Sequence, residues 1–472
     1  MPTTPWFRRP RADLRRDQDL LLREWLTREV VPFSPFWADR LRGVAATDVQ
    51  ALHAVPVALE ADIAGAGGPG NPALLLSPTE DAFKTHAPRA ELLAAARHAG
   101  GRGARGRRQA IWHLYKPVHV HEAGVDRLLA IAYTRADLDR LHLAGARLAE
   151  VLGWGAEDAL LNLVPAGPSV RFWGLYHAAL ATRMTALHPR GAGQAVMGPA
   201  RRGLALLPAS ILTVPVEEAE PVLDGLVAAG TSAPNLRMVV PVGAPPSAAL
   251  RVRVTAMAER LAGQPVRVQA VWAPEVSRVL YGEGPVAAND PPEASYGLLT
   301  YPDLELLQVR DPDTGALVVD GGPGELVVTS LGWRGTAMVR VATGAWVGGL
   351  EEESRQPITG ATVPRLAPNA ADGAWQPQVA HDGVTRRVDL RGTGRAVSST
   401  MGRLGVSDWS LTAVDRRLVL ELDMRAGADG AVIDQLLGRL QSSIGIRPDV
   451  RFGPVPASRR RGIGAAGPLP AP

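Results

Sequence analysis

Residues 295–349, SYGLLTYPDLELLQVRDPDTGALVVDGGPGELVVTSLGWRGTAMVRVATGAWVGG, decide how the rest of the chain is read. Leu304–Val309 alternates and favours a strand. Asp311-Pro312-Asp313-Thr314-Gly315 is a turn, because proline presets φ and glycine supplies φ > 0. Gly321-Gly322-Pro323-Gly324-Glu325 is a second turn, ahead of the apolar strand Leu326–Thr329. Met338-Val339-Arg340-Val341-Ala342-Thr343-Gly344-Ala345 follows. The stretch is a run of short strands with strong turn punctuation.

Upstream, strand and helix patterns alternate. A strand ending in Tyr133-Thr134 leads into a helix capped by Thr134, with Asp137 three residues on, close to a capping box. Leu138, Leu141, Ala144, Leu148 and Val151 form its apolar stripe. A helix over Gly198–Leu207, a strand Ile211–Pro215, a helix over 216–229, a strand Leu236–Val242, a helix Ala248–Ala262 and a strand Val266–Trp272 come next. This alternation predicts an α/β fold with a largely parallel, doubly wound sheet, whose ligands bind beyond the carboxyl ends of the strands. Residues 12–43 read as helical. Gly101–Arg108 is basic but has neither a Lys-Ser/Thr ending nor interleaved aromatics, so it reads as a solvated, mobile loop. Ile111–Val120 reads as a strand, with His119 and His121 on one face beside Glu122. No further ligand stands at a telling spacing, so these histidines read as surface or pocket-lining groups, not a metal site.

Downstream, the polar, Pro/Gly-rich stretch at 351–384 reads as a linker after a large domain at 1–350. A small α+β domain is expected over 385–457, with a strand Arg417–Met424, a helix Gly430–Ile444 and a strand Arg447–Phe452. The Arg-, Gly- and Pro-rich tail at 458–472 is expected to be disordered.

The 472-residue chain is long enough for two or three domains with a substantial core. Its 46% hydrophobic and 21% charged content is that of a globular protein. A formal charge of +4 gives little reason to expect a nucleic acid or a membrane as partner. Lys84 and Lys116 are the only lysines, so arginine carries the basicity. With no cysteine, disulfides, thiolate nucleophiles and Cys-ligated metals are excluded. No leader-like apolar segment follows Met1, and a cytoplasmic setting is the expectation.

The order of the DPDTG turn, the GGPGELVVTSL strand and the Arg340-x-x-Thr343-Gly344 segment resembles the adenylate-forming superfamily, in its phenylacetate-CoA ligase branch. The Tyr133-Thr134 helix, Gly174, His177 and the Ser34-Pro35-Phe36-Trp37 turn fit the same resemblance, which spans most of residues 20–455. It implies a large adenylate-forming-type domain with mostly parallel sheets and a small, mobile C-terminal α+β domain. It also implies ATP and Mg, with CoA, for an active member, which joins a carboxylate to ATP and passes the acyl group to CoA.

The chemistry that the resemblance implies is kept only in part. A phosphate-cradling loop would fall at residues 121–129, where Glu122 and Asp126 oppose an anion and Arg127 is the one cation. An adenine slot would use Gly243 and Ala244, followed by Pro245, and the Val271–Glu275 segment. There Glu275 matches the magnesium-holding, catalytic glutamate, but Trp272 replaces a close-approach glycine. Arg340, Thr343 and Gly344 match a catalytic and nucleotide-binding strand whose ribose-holding aspartate is here Ala345. Asp389 matches the interdomain hinge. The C-terminal catalytic lysine is missing, and Arg459, Arg460 and Arg461 are its nearest substitutes. The expected function is a homologue that binds an acyl or aryl carboxylate, or its CoA thioester, with adenylation weak or lost. An active AMP-forming acyl/aryl-CoA ligase and a non-catalytic partner of an active paralogue stay open, as do a homodimer and a paralogous subunit.

Overall fold

Thr134 begins the helix that orders the centre of the molecule. Its N–H reaches Asp137 Oδ2 at 2.8 Å, and its hydroxyl accepts from Asp137 N at 3.3 Å, so the capping box is complete. The computed structural model that shows this describes Trp6–Glu351 apart from residues 45–47, 60–61, 64–65, 67–71, 101–102, 124–128, 168, 191–195, 244, 275, 288–289, 293 and 312–313. Beyond these it describes 360–367 and shorter pieces between 378 and 465.

Following α1 (Arg11–Trp25) and α2 (Gly103–Tyr115), a hairpin of β1 (His119–Ala123) and β2 (Leu129–Tyr133) leads into α3 (Arg135–Leu152). The main sheet starts with β3 (Ala159–Asn162), and α4 (Val170–Thr182) crosses to β4 (Thr185–Leu187). Then come α5 (Met197–Leu206), β5 (Ile211–Pro215), α6 (Val216–Ala228), β6 (Met238–Val242) and α7 (Ala248–Ala262). The sheet continues with β7 (Arg267–Val268), β8 (Val271–Trp272), β9 (Tyr281–Glu283) and β10 (Leu298–Leu299).

The pairings of β3 with β4 and β5, and of β6 with β5, β7 and β8, are all parallel, whereas β8 to β9 and β9 to β10 are antiparallel. The mostly parallel α/β sheet read from the sequence is therefore present. Alternate residues face opposite sides, as a strand period of two requires: Leu160, Ile211 and Met238 enter one hydrophobic cluster, and Leu161, Leu212 and Val239 the other.

The opening stretch of the sequence forms a separate antiparallel sheet of β11 (Glu305–Arg310), β12 (Gly324–Ser330) and β13 (Val341–Val347). Asp137 ties it to the capped helix, accepting from Arg334 N at 2.8 Å and Gly335 N at 2.7 Å. A Cβ on Gly335 would stand 1.9 Å from the carbonyl oxygen of Ala132, so this approach excludes every side chain.

Three sequence readings in the large domain are corrected. Residues 111–115 belong to helix α2, and β1 begins only at His119. Buried Tyr115 meets the rings of Phe33 and Phe83 edge-on, at 5.5 and 6.2 Å. This packing overrides the β-like composition. Residues 103–108 of the expected basic loop are the first turns of the same helix. The expected strand 266–272 is broken, because Ala270 N–H donates to Glu283 Oε2 at 2.8 Å. Glu283 is held in turn by a buried two-pronged contact from Arg251.

Within the stretch read as a linker, β15 (Arg365–Ala367) pairs with β10 and with β14 (Gly349–Glu351) at its start, extending the main sheet antiparallel. In the same stretch, β16 (Gln378–His381) pairs with β17 (Val384–Arg387) at its end. Beyond it, β18 (Val406–Val414), β19 (Arg417–Met424), β20 (Asp449–Phe452) and β21 (Gly462–Ala465) form one sheet. Most of the expected helix 430–444 lies outside the described residues, as does the hinge residue Asp389. The tail read as disordered includes β21.

Candidate ligand site

The residues singled out in the sequence fall on two sheets. Gly243 and Trp272 sit together at the ends of β6 and β8, where Gly243 N donates to Val271 O at 3.0 Å. Gly243 has φ 137°, and a Cβ there would lie 2.9 Å from Val216 Cγ1, so glycine is required by packing as much as by any ligand. The Trp272 indole is 6% exposed and packs in the main hydrophobic cluster. Ala244 and Glu275, their expected companions, lie outside the described residues.

Arg340, Thr343, Gly344 and Ala345 lie on or next to β13. Glu325 pairs with Trp346 but Val327 with Ala342, so residues 343–345 bulge out of the ladder. Bulges of this kind re-aim side chains. Gly344 takes φ 65° and donates to Glu325 Oε1 at 2.7 Å, while the Thr343 hydroxyl donates to Leu326 O at 2.8 Å and accepts from Ala345 N at 3.1 Å. The side chain that this bulge presents at 345 is a buried methyl.

Arg340 is committed elsewhere. Its guanidinium donates to Gln308 Oε1 at 3.1 Å and to the carbonyls of Leu52, His53 and Val55. Its backbone sits at φ 47°, an uncommon conformation for a residue with a side chain. It clamps the 52–55 segment to the β11–β13 sheet, a structural role where the sequence reading expected a catalytic one.

The β1–β2 hairpin frames the expected phosphate loop, with His119 opposite Tyr133 and Ala123 opposite Leu129. Arg127 and Asp126 fall in the undescribed 124–128 between them. His119 and His121 do share a face, with ring centroids 4.6 Å apart. They belong to an aromatic cluster in which His119 meets Trp173 at 4.8 Å and His121 meets Tyr133 at 4.6 Å. Trp173 meets Tyr176 at 5.6 Å, and Phe172 meets His188 at 5.1 Å. Burial pushes His121 down to about 3, helped by the charges of His119, Arg278 and His177. His177 is likewise lowered to about 4 by burial, then by His142 and His119.

Sequence reading passed over Arg278, which is fully buried behind these rings. Its only signal was a lone charge in the apolar run Val276–Tyr281. Its guanidinium carbon stands 5.6 Å from the Tyr133 ring centre and 5.1 Å from that of Trp333. Beneath it, Glu305 accepts from Tyr281 Oη, from Ser277 Oγ at 2.9 Å and from Arg278 N at 3.2 Å. Burial raises the Glu305 carboxyl above its ordinary range despite these donors. Among the described residues, no group of three or more His, Asp or Glu side chains could hold a metal ion.

No family model matches the chain, and no curated protein matches it. Solved structures do. The likeness to 2-hydroxyisobutyryl-CoA ligase in complex with 2-HIB-AMP and CoA in the thioesterification state has a TM-score of 0.59, covering 98% of this chain and 91% of that one at 17% identity. The same ligase in the postadenylation state with R3-HIB-AMP gives 0.57 at 16% identity, covering 98% and 92%. Its open conformation gives 0.56 at 17%, covering 94% and 87%.

The chain has the fold of this CoA ligase. Among the described residues, position 345 does not fit the sugar-holding role that the resemblance gives it, because the bulge at 343–345 offers no acceptor side chain there. Trp272, where the resemblance expects a close-approach glycine, is packed into the main hydrophobic cluster. Arg459 and Arg460 lie outside the described residues, and so does Arg461. Among the described residues, no helix is long and apolar enough to cross a membrane.

Proposed function

We propose that this chain is a phenylacetate-CoA-ligase-like homologue that binds an acyl or aryl carboxylate, or its CoA thioester, with ATP-dependent adenylation weak or lost. The observation that carries the reading is the β13 bulge. Its hydrogen bonds hold Thr343 and Gly344 in place, yet the side chain at 345, where the resemblance expects an aspartate, is a methyl. An aspartate there would accept charge-assisted hydrogen bonds from the sugar, each worth roughly 1.5–3 kcal/mol. A kept frame with this contact missing supports binding over turnover.

The aromatic cluster supports an aryl ligand over a purely aliphatic one. Trp173, Tyr176, His119 and His188 are partly exposed and meet one another or Phe172 edge-on or tilted, an arrangement that offers both ring faces and ring edges to a bound aryl group. In this reading the small C-terminal domain over 385–457 pivots at Asp389, and the protein acts in the cytoplasm on a small molecule.

Thermal unfolding with a panel of aryl and medium-chain acids and their CoA esters tests the reading. A ligand that binds only the folded state raises the midpoint by mass action. Stabilisation by aryl acids without any requirement for ATP is expected. A panel with no shift would refute ligand binding and favour the role of a partner subunit.

A further inference from the structure

Arg278 poses a problem that its surroundings leave unsolved. Its side chain has no exposed surface, and its Nε, Nη1 and Nη2 have no hydrogen-bond partner among the described residues. A guanidinium brings five donors, and burying such a charge without an acceptor is strongly unfavourable. Two carboxylates are close enough to act on its charge, Asp137 and Glu305, but both accept from other donors and neither is hydrogen-bonded to the guanidinium. Asp137 accepts from Thr134 N, Thr134 Oγ1, Arg334 N and Gly335 N. Glu305 accepts from Ser277 Oγ, Tyr281 Oη and the backbone N–H of Arg278 itself.

The unmet capacity extends outward from Arg278 in layers. Tyr133 Oη, both ring nitrogens of His121 and His119 Nε2 are also buried without a partner among the described residues. Tyr133 is fully buried, His121 is 2% exposed, and His119 and Trp173 form the partly exposed outer layer. Trp173 lies nearly parallel to His121, at 21° and 6.3 Å between centres. Aromatic rings thus stand between the surface and a cation that has no hydrogen-bonded counter-ion among the described residues, with a phenol and an imidazole near it that can each take or give one hydrogen bond.

We propose that Arg278 is the anchor for the carboxylate of an aryl acid, which enters between His119 and Trp173 and pairs with the guanidinium fork while its ring lies among His121, Tyr133 and Trp173. The inference rests on the reading that this fold binds an aryl carboxylate, and it names the group that holds it. A planar fork matches a carboxylate through two parallel N–H···O bonds, which an ammonium cannot make. A carboxylate tied down in this way is held as an ion pair, which agrees with a site that binds acids more readily than it activates them.

The test is calorimetric titration and thermal unfolding of the full chain and of Arg278→Met, with benzoate and phenylacetate as probes and the neutral benzamide and phenylacetamide as controls. The acids are expected to raise the wild-type midpoint and the amides to leave it unchanged. Arg278→Met is expected to melt above the ligand-free wild type, because an unpaired buried charge has been removed, and to show no response to the acids. Equal responses of wild type and Arg278→Met to the acids would overturn the anchor while leaving carboxylate binding intact. A wild type insensitive to every acid and CoA ester would overturn both. If Arg278→Met does not fold, Arg278→Lys decides: at least tenfold weaker binding of phenylacetate is expected, and unchanged affinity overturns the proposal.

Discussion

Arg340 shows how a residue that matches a motif can be kept for reasons of folding. Its fork reaches three backbone carbonyls of the 52–55 segment and the Gln308 amide. Arg340→Met would leave those buried acceptors unpaired, at a cost of about 2–4 kcal/mol. Urea unfolding should register that loss, and a variant as stable as wild type would show that the clamp is not structural. The buried histidines make a second claim at this scale. His121 and His177 have folded values below the ordinary 6.5, so the unfolded chain takes up protons first as pH falls. Their contribution is complete above pH 6.5 and is lost as pH falls toward 4 and then 3. Glu29 and Glu305, raised by burial, act in the opposite sense over part of that range. The diagnostic is therefore a difference: between pH 7 and pH 5, wild type should lose more stability than His121→Phe. Equal losses would contradict neutral burial of His121.

Elements whose signals are local were legible in the sequence. The Thr134–Asp137 cap, the helix Ala248–Ala262 and the strand Arg417–Met424 depend on neighbours a few residues away, and all three stand where they were read. Helix α2 was not legible, because two glycines and three arginines in its first half hide a helix fixed by Tyr115 packing and by Arg107 donating to Glu80 Oε1 at 2.6 Å. Strand β15 was hidden for a related reason. Its surroundings are polar and Pro/Gly-rich, yet Ala361, Val363 and Leu366 are fully buried, and Thr362 N donates to Phe7 O at 2.8 Å. A chain ending at residue 350 loses the strand between β10 and β14, and one ending at 367 keeps it. The longer fragment should unfold cooperatively, and the shorter should be less stable by about 3 kcal/mol or more, given ~1.5–3 kcal/mol per buried aliphatic side chain. Equal stability of the two would place the end of the large body near residue 350.

At the scale of the whole molecule, the proposed loss of adenylation is set against a fold that is kept. Strand alternation, turn chemistry and caps specify an adenylate-forming architecture over nearly the whole chain, and each is a pattern that tolerates many substitutions. The candidate site was less legible. Arg278, Glu305, Tyr133 and Trp333 are far apart in sequence and converge only when the hairpin, the main sheet and the β11–β13 sheet are assembled. A lone arginine among apolar residues carries no pattern that would announce this. The nucleotide contacts are the reverse case: the resemblance assigns their positions, and at Ala345 the residue present lacks the acceptor that the assigned role needs. Loss of about 2 kcal/mol at each of two such contacts slows a reaction roughly a thousandfold. Ala345→Asp alone should not restore activity, because the C-terminal catalytic lysine that the resemblance expects is still missing. Carboxylate-dependent exchange of pyrophosphate into ATP measures this most directly. The unmodified protein, assayed with the same acids that raise its melting point, should give no exchange above background. A robust signal with any of those acids would contradict the account and establish a working ligase whose arginines have taken over the cationic roles.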